Sequence, residues 1–156
     1  MSQNNTCSLP LNREVLPAEY QQRWQNPETI QQILRDYKTI AIVGISPKED
    51  RPSNMVGAYL IAQGFEVIPV NPREQEILGL PCYPSLSDIP HPVDIVNIFR
   101  RPDMVLPIVE EAIAIKAKAV WFQLTVINLE AGRLAEENGL AVVMDRCLKV
   151  EHEFAA

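Results

Sequence analysis

The sequence predicts an α/β fold built on a doubly wound, mainly parallel sheet covered by helices on both faces. Three observations lead there. Short apolar runs such as Thr39-Ile40-Ala41-Ile42-Val43 lack the alternation of a half-exposed strand and read as strands buried on both faces. Segments with apolar residues at helical spacing lie between these runs. The two kinds alternate along the chain, which is the pattern of strand–helix–strand units with parallel strands.

Residues 1–25 are polar with scattered apolar positions and read as a peripheral arm ahead of a single domain, 26–156. Asn26 suits an N-cap and Pro27 the first helical position, and Ile30, Ile33, Leu34 and Tyr37 then form one apolar stripe. The first strand, Thr39 to Val43, ends at Gly44. Ser53 to Gln63 reads as a helix stopped by Gly64, and Phe65 to Val70 as the second strand. Gly79 to Tyr83 reads as an extended piece at a sheet edge, where Pro81 is tolerated, and Ser85 to Ile89 as a brief helix. Val93 to Phe99 is a strand, Asp103 to Lys116 a helix starting near Pro107, and Ala119 to Leu124 a strand. Leu129 to Asn138 is a helix capped by Gly139, and Ala141 to Met144 is the last strand.

With 156 residues and 47% apolar content, the chain has material for one core. Its net charge of −6 argues against nucleic acid, which is held by clustered Lys and Arg, but leaves room for one small anion in a local cationic pocket. No apolar run is long enough to span a membrane, and the polar Met1 to Asn5 start lacks the pattern of a signal peptide. Cys7, Cys82 and Cys147 are odd in number and far apart, which suits a reducing cytoplasm better than a disulfide framework or a metal site. The oligomeric state leaves no mark in the sequence.

Open parallel sheets bind ligands beyond the carboxyl ends of their strands, where the winding reverses. If the chain runs from the first strand through Phe65–Val70 and then crosses back to Val93–Phe99, the crevice lies between the loop Gly44 to Pro52 and the segment Phe99 to Asp103. Gly44 allows a sharp turn and close approach of a ligand, so Gly44→Val is expected to block the ligand and spare the fold. Ser46, Ser53 and the free amides of the helix start offer donors to phosphate, and Lys48 and Arg51 add positive charge. Gly44-Ile45-Ser46-Pro47 lacks the second and third glycines of a dinucleotide fingerprint. The second strand ends in Asn71-Pro72-Arg73, with a cation where an NAD site carries a carboxylate, and this favours NADP or coenzyme A, each with an extra ribose phosphate.

Catalytic groups are hard to find. His91 and His152, the two histidines, read as surface residues, and Glu110-Glu111 as a solvated helix face. Cys147 follows the last strand beside Arg146 and reads as a semi-buried apolar thiol.

Seven ordered stretches carry a family resemblance: Ile42-Val43-Gly44-Ile45-Ser46, Arg51-Pro52-Ser53, Val70-Asn71-Pro72, Tyr83-Pro84-Ser85-Leu86, Phe99-Arg100-Arg101-Pro102, Trp121-Phe122-Gln123-Leu124 and Val143-Met144-Asp145-Arg146-Cys147. From Thr39 to His152 the chain resembles the stand-alone CoA-binding domain family, whose fold also forms the N-terminal part of the succinyl-CoA synthetase alpha subunit. The resemblance implies a Rossmann-like domain with coenzyme A lying across the strand ends. It implies that Gly44, Ile45, Ser46, Arg51, Pro52 and Ser53 meet the phosphates and that Asn71 to Arg73 lie near the adenosine. Phe99, Arg100, Arg101, Pro102, Gln123 and Leu124 would line the crevice. No counterpart of the synthetase domain with the phosphorylated histidine is seen, and the loop lacks that enzyme's second glycine, so its catalysis does not carry over. The first reading is therefore a non-catalytic CoA-binding or acyl-CoA-binding module. An NADP-dependent or acyl-CoA-handling enzyme comes second, and a ligand-free interaction module third.

Overall fold

The long apolar runs pair edge to edge because each is apolar on both faces and finds cover only inside a sheet. In the computed structural model, which describes residues 15–155, the strands are β1 (Thr39–Val43), β2 (Glu66–Val70), β3 (Glu76–Ile77), β4 (Leu80–Pro81), β5 (Ile95–Ile98), β6 (Ala119–Phe122) and β7 (Ala141–Met144). Five of them form one parallel sheet in the order β2-β1-β5-β6-β7. The registers Val43↔Val70, Val43↔Ile98, Ile98↔Phe122 and Phe122↔Met144 bring the carboxyl ends level along one edge. The winding reverses beside β1, as expected from the element order, and the sheet is Rossmann-like.

The helices are α1 (Ala18–Trp24), α2 (Pro27–Asp36), α3 (Pro52–Ala62), α4 (Leu106–Ala114), α5 (Leu129–Glu137) and α6 (Leu148–Ala155). Alternate strand residues face opposite layers. Ala41, Val43, Val96, Ile98 and Phe122 pack with α1, α4 and α5 residues such as Trp24, Val109 and Ala135. Ile40, Ile42, Ile95, Trp121 and Val143 pack with Ile33 of α2, Leu60 of α3 and Leu148 of α6. Asn97 is carried into this interior fully buried, and its side-chain amide has no hydrogen-bond partner among the described residues.

The Asn26 cap forms as the sequence suggests, its side chain accepting from the Glu28 and Thr29 amides. Other expectations need correction. The expected arm, residues 1–25, lies outside the described residues up to 14, but its remainder is not peripheral. Leu16 and Trp24 are 2% and 1% exposed, because α1 packs on β7 and, with the residues just before it, adds apolar side chains to the core that are spaced too sparsely to show a stripe. Gly79 to Tyr83 does not simply extend the sheet: β3 and β4 pair antiparallel as a separate ribbon, joined to β2 by a Val70–Tyr83 bridge. The helix expected from Asp103 begins as a 3₁₀ turn at Pro102–Met104 and becomes α-helical at Leu106, since Pro107 has no amide to donate. Glu111 is not merely solvated, for its carboxylate accepts from the Leu86 and Ser87 amides and so caps the turn Leu86–Asp88. Helix α6 adds an element beyond those expected.

At the amino ends of the strands, one carboxylate ties β1 to the rest. Asp94 Oδ2 accepts from the Lys38 and Thr39 amides at 3.0 and 3.2 Å, and the Lys118 ammonium lies 3.4 Å from the other oxygen. Burial by itself raises the Asp94 pKa, but the two amides and Lys118 outweigh it and hold the carboxyl below its usual value. A depressed folded pKa means that the stabilisation is present above the unfolded value of about 3.9 and is lost as the pH falls through the folded value. Asp94→Asn should therefore lower stability to urea at pH 7, with the gap to the parent narrowing below about pH 4. A gap that stays constant down to pH 3 would show that the charge of Asp94 contributes nothing.

Candidate functional site

Strand β1 ends where three chain segments meet. The Gly44 amide donates to the Val70 carbonyl at 3.0 Å, and the Phe99 amide donates to the Val43 carbonyl at 2.9 Å. Gly44 has φ +88°, and a Cβ there would lie 2.2 Å from the Phe99 oxygen and 2.8 Å from Arg100 Cδ. The glycine thus makes room for the protein's own backbone.

Beyond Gly44 the loop folds onto the start of α3. Ile45 is fully buried, so its side chain belongs to the core and only its backbone can serve a ligand. The Ser46 amide donates to Ser53 Oγ at 2.9 Å, Asn54 Nδ2 donates to the Ser46 carbonyl at 2.9 Å, and the Lys48 amide donates to Ser46 Oγ at 3.1 Å. Each serine hydroxyl therefore accepts a bond from within the loop and has its own proton left to donate. Helix α3 has Arg51 at its N-cap, with no side-chain cap bond, and Pro52 next. Pro52 lacks an amide and the Met55 amide bonds Arg51 O, so Ser53 and Asn54 carry the amide donors that no α-helical bond can satisfy. A cation stands where an acceptor side chain normally caps a helix, and an anion would complete the dipole.

These groups open on a crevice of about 440 Å³ at the carboxyl edge of the sheet. One wall is Gly44, Ser46 and Arg51–Ser53; the others are Phe99–Pro102 after β5 and Gln123–Val126 after β6. Three arginines, Arg51, Arg100 and Arg101, are among the lining residues. The Gln123 wall is held by two bonds: Gln123 Oε1 accepts from the Leu148 amide at 3.4 Å, and Asp145 Oδ1 accepts from the Thr125 amide at 2.8 Å. Thr125 takes φ +71° and Asp145 φ +62°, left-handed values that such residues rarely adopt, so this clasp holds a strained turn beside the crevice.

Four of the residues singled out by sequence do not line the crevice: Ile45, which is buried in the core, and three others. Lys48 is exposed further along the loop. Asn71 is half-buried and structural: its Nδ2 donates to the Ile45 carbonyl at 2.9 Å and its Oδ1 accepts from the Arg73 amide at 2.8 Å. Arg73 is exposed at the end of β2. Thr125 and Val126, which no motif in the sequence marks, do line it. A signal for them is nevertheless present, since they continue past the carboxyl end of a buried strand. His91 is exposed, but His152 is half-buried, its Nδ1 2.7 Å from the Tyr59 hydroxyl and its ring edge-on to Phe65, outside the crevice lining. Cys147 is half-buried against the layer that holds α6.

Comparison with known proteins gives a consistent picture. The family described as CoA binding domain matches residues 38–153. An uncharacterized protein of Bacillus subtilis, YneT, is 42% identical over 130 residues, covering 82% of this chain and 96% of its own. A hypothetical protein from Pyrococcus horikoshii superposes with a TM-score of 0.82 at 44% identity, over 91% of this chain and 97% of the other. The ADP-forming acetate–CoA ligase I of Archaeoglobus fulgidus is 34% identical over 121 residues, 71% of this chain but only 18% of the ligase.

The contact between Gly44 and Phe99 argues against the expectation that a side chain at Gly44 would spare the fold. Both the left-handed backbone and the carbonyl must yield, so Gly44→Val should lower unfolding stability by at least about 2 kcal/mol. Urea unfolding of the variant measures this directly. Undiminished stability would mean that the loop can move away from β5 at no cost.

Proposed function

The chain belongs to the CoA binding domain family, and on that premise we propose that its crevice binds coenzyme A as a module without turnover of its own. The observation that carries this reading is the open start of α3. The Ser53 amide, the Ser46 and Ser53 hydroxyls and the Arg51 side chain share one wall of the crevice there, a place suited to a diphosphate. Gly44, Ser46, Arg51, Pro52 and Ser53 are proposed to hold the phosphates, with Ile45 contributing backbone only and Lys48 acting through its charge from outside the crevice. The uncharged pantetheine arm would cross the end of β5 along Phe99–Pro102 and reach Gln123.

Adjacent strands lie about 4.8 Å apart, so Asn71 and Arg73 at the end of β2 stand one strand beyond the phosphate loop. That is where this class of sheet places the adenosine ribose, and Arg73 offers its 3′-phosphate a cation. Binding without turnover is supported by the lining, which consists of hydroxyl, amide, guanidinium and apolar groups, while His152 is engaged with Tyr59 elsewhere. Cys82 and Cys147 are free thiols, which supports the cytoplasm as the compartment, and no helix among the described residues is long and apolar enough to cross a membrane.

Titration calorimetry tests the reading. The parent should bind coenzyme A, and Arg51→Ala should weaken it roughly tenfold or more, the worth of a charge-assisted bond. The parent should prefer coenzyme A to dephospho-CoA by about three- to tenfold, because Arg73 is exposed and screened. Arg73→Ala should bind the two about equally. No heat with coenzyme A at millimolar concentration, or tighter binding of NADP, would overturn the assignment.

A further inference from the structure

We propose that the crevice is built for an acyl thioester of coenzyme A and that an apolar acyl chain lies between Leu124 and Met104; this rests on the reading of the crevice as a CoA site. The strand order sets the direction of the ligand. Along the carboxyl edge the ends of β2, β1, β5 and β6 follow one another, so the end of β6 is roughly 10 Å from that of β1 at the usual strand spacing. With the phosphates at the start of α3 and the adenosine toward β2, the thiol end runs toward β6. The reverse direction would carry the ribose phosphate away from Arg73 and toward the apolar Leu124 and Val126.

Two large apolar side chains stand exposed toward that end. Leu124 is 48% exposed and Met104 38%, although both are large hydrophobic side chains. Beside the main crevice, and sharing Phe99, Arg100 and Arg101 with it, lies a second hollow of about 270 Å³ that Met104 also lines. The Arg101 head is drawn toward Asp103, with Nε 3.5 Å from Oδ1, which leaves its aliphatic stem to the hollow. Asn128 Nδ2 donates to the Pro102 carbonyl at 2.9 Å and fixes the Gln123–Asn128 turn against the Phe99–Met104 segment. Leu124 thus borders the crevice and Met104 the hollow that shares a wall with it. A free thiol would leave both side chains wet; a short acyl chain would cover them.

Each methylene fully removed from water contributes about a fourfold gain in affinity, and in an open trough about twofold is expected. The experiment titrates the full chain with coenzyme A and its acetyl, butyryl and hexanoyl thioesters. Affinity should rise along the series, with hexanoyl-CoA at least about tenfold tighter than coenzyme A. In Leu124→Ser and in Met104→Ser the ratio of hexanoyl-CoA to coenzyme A affinity should fall to about threefold or less. If coenzyme A binds and the series is flat or falls, the inference is overturned and the CoA reading stands. The inference is overturned equally if both variants keep the parent's slope. Failure of coenzyme A itself to bind removes the underlying reading.

Discussion

The structure depends on the close approach of Gly44 to the Phe99 carbonyl. Strand β1 is flanked by β2 on one side and β5 on the other, and both neighbours bond to it at its carboxyl end, through Gly44 N to Val70 O and Phe99 N to Val43 O. With φ at +88° and the Phe99 oxygen 2.2 Å from where a Cβ would be, only glycine satisfies both bonds and the turn. The chain leaves β1 toward α3 and leaves β5 toward Pro102, so the space between the two departures becomes the crevice. The site is a consequence of how the strands end.

Polar groups around the crevice are matched in an asymmetric way. Acceptor positions are taken up inside the protein: Ser46 Oγ and Ser53 Oγ accept from loop amides, and the Ser46 and Ile45 carbonyls accept from Asn54 and Asn71. What remains facing outward is donors and guanidinium groups. A protein with net charge −6 thereby carries one place that favours anions. The opposite wall is held by a different device, a left-handed Thr125 whose amide is bound by the buried Asp145 carboxylate. That turn presents Leu124 to solvent, which a relaxed loop would tend to withdraw.

Much of this is legible in the sequence. Strands β1 and β7 have the bounds that their apolar runs suggest, and Asn26-Pro27 opens α2 as its cap chemistry requires. The topological switch beside β1 follows from the order of strands and helices, and it locates the crevice correctly between the Gly44 loop and the Phe99 segment. The short or sparsely patterned elements escape such a reading for physical reasons. Helix α1 and the turn before it bury Trp24 and Leu16 without a regular stripe, α6 is eight residues long, and the β3–β4 ribbon has two residues per strand. Asn71 resembles a ligand group because it sits at a strand end, yet both ends of its amide are consumed by the backbone.

The sequence by itself determined the fold class, the switch point, the family resemblance and the presence of Ser46, Arg51 and Ser53 where the loop after the first strand enters a helix, because these depend on local pattern and chain order. Only the tertiary structure decided which of these groups face a common space. It showed that Gly44 yields to Phe99, that Glu111 caps a turn 24 residues away at Ser87, and that Thr125 and Val126 share a wall with Arg51. The reason is physical: hydrophobic pattern is a property of neighbours along the chain, whereas hydrogen-bond satisfaction and exposure are settled between strands brought side by side.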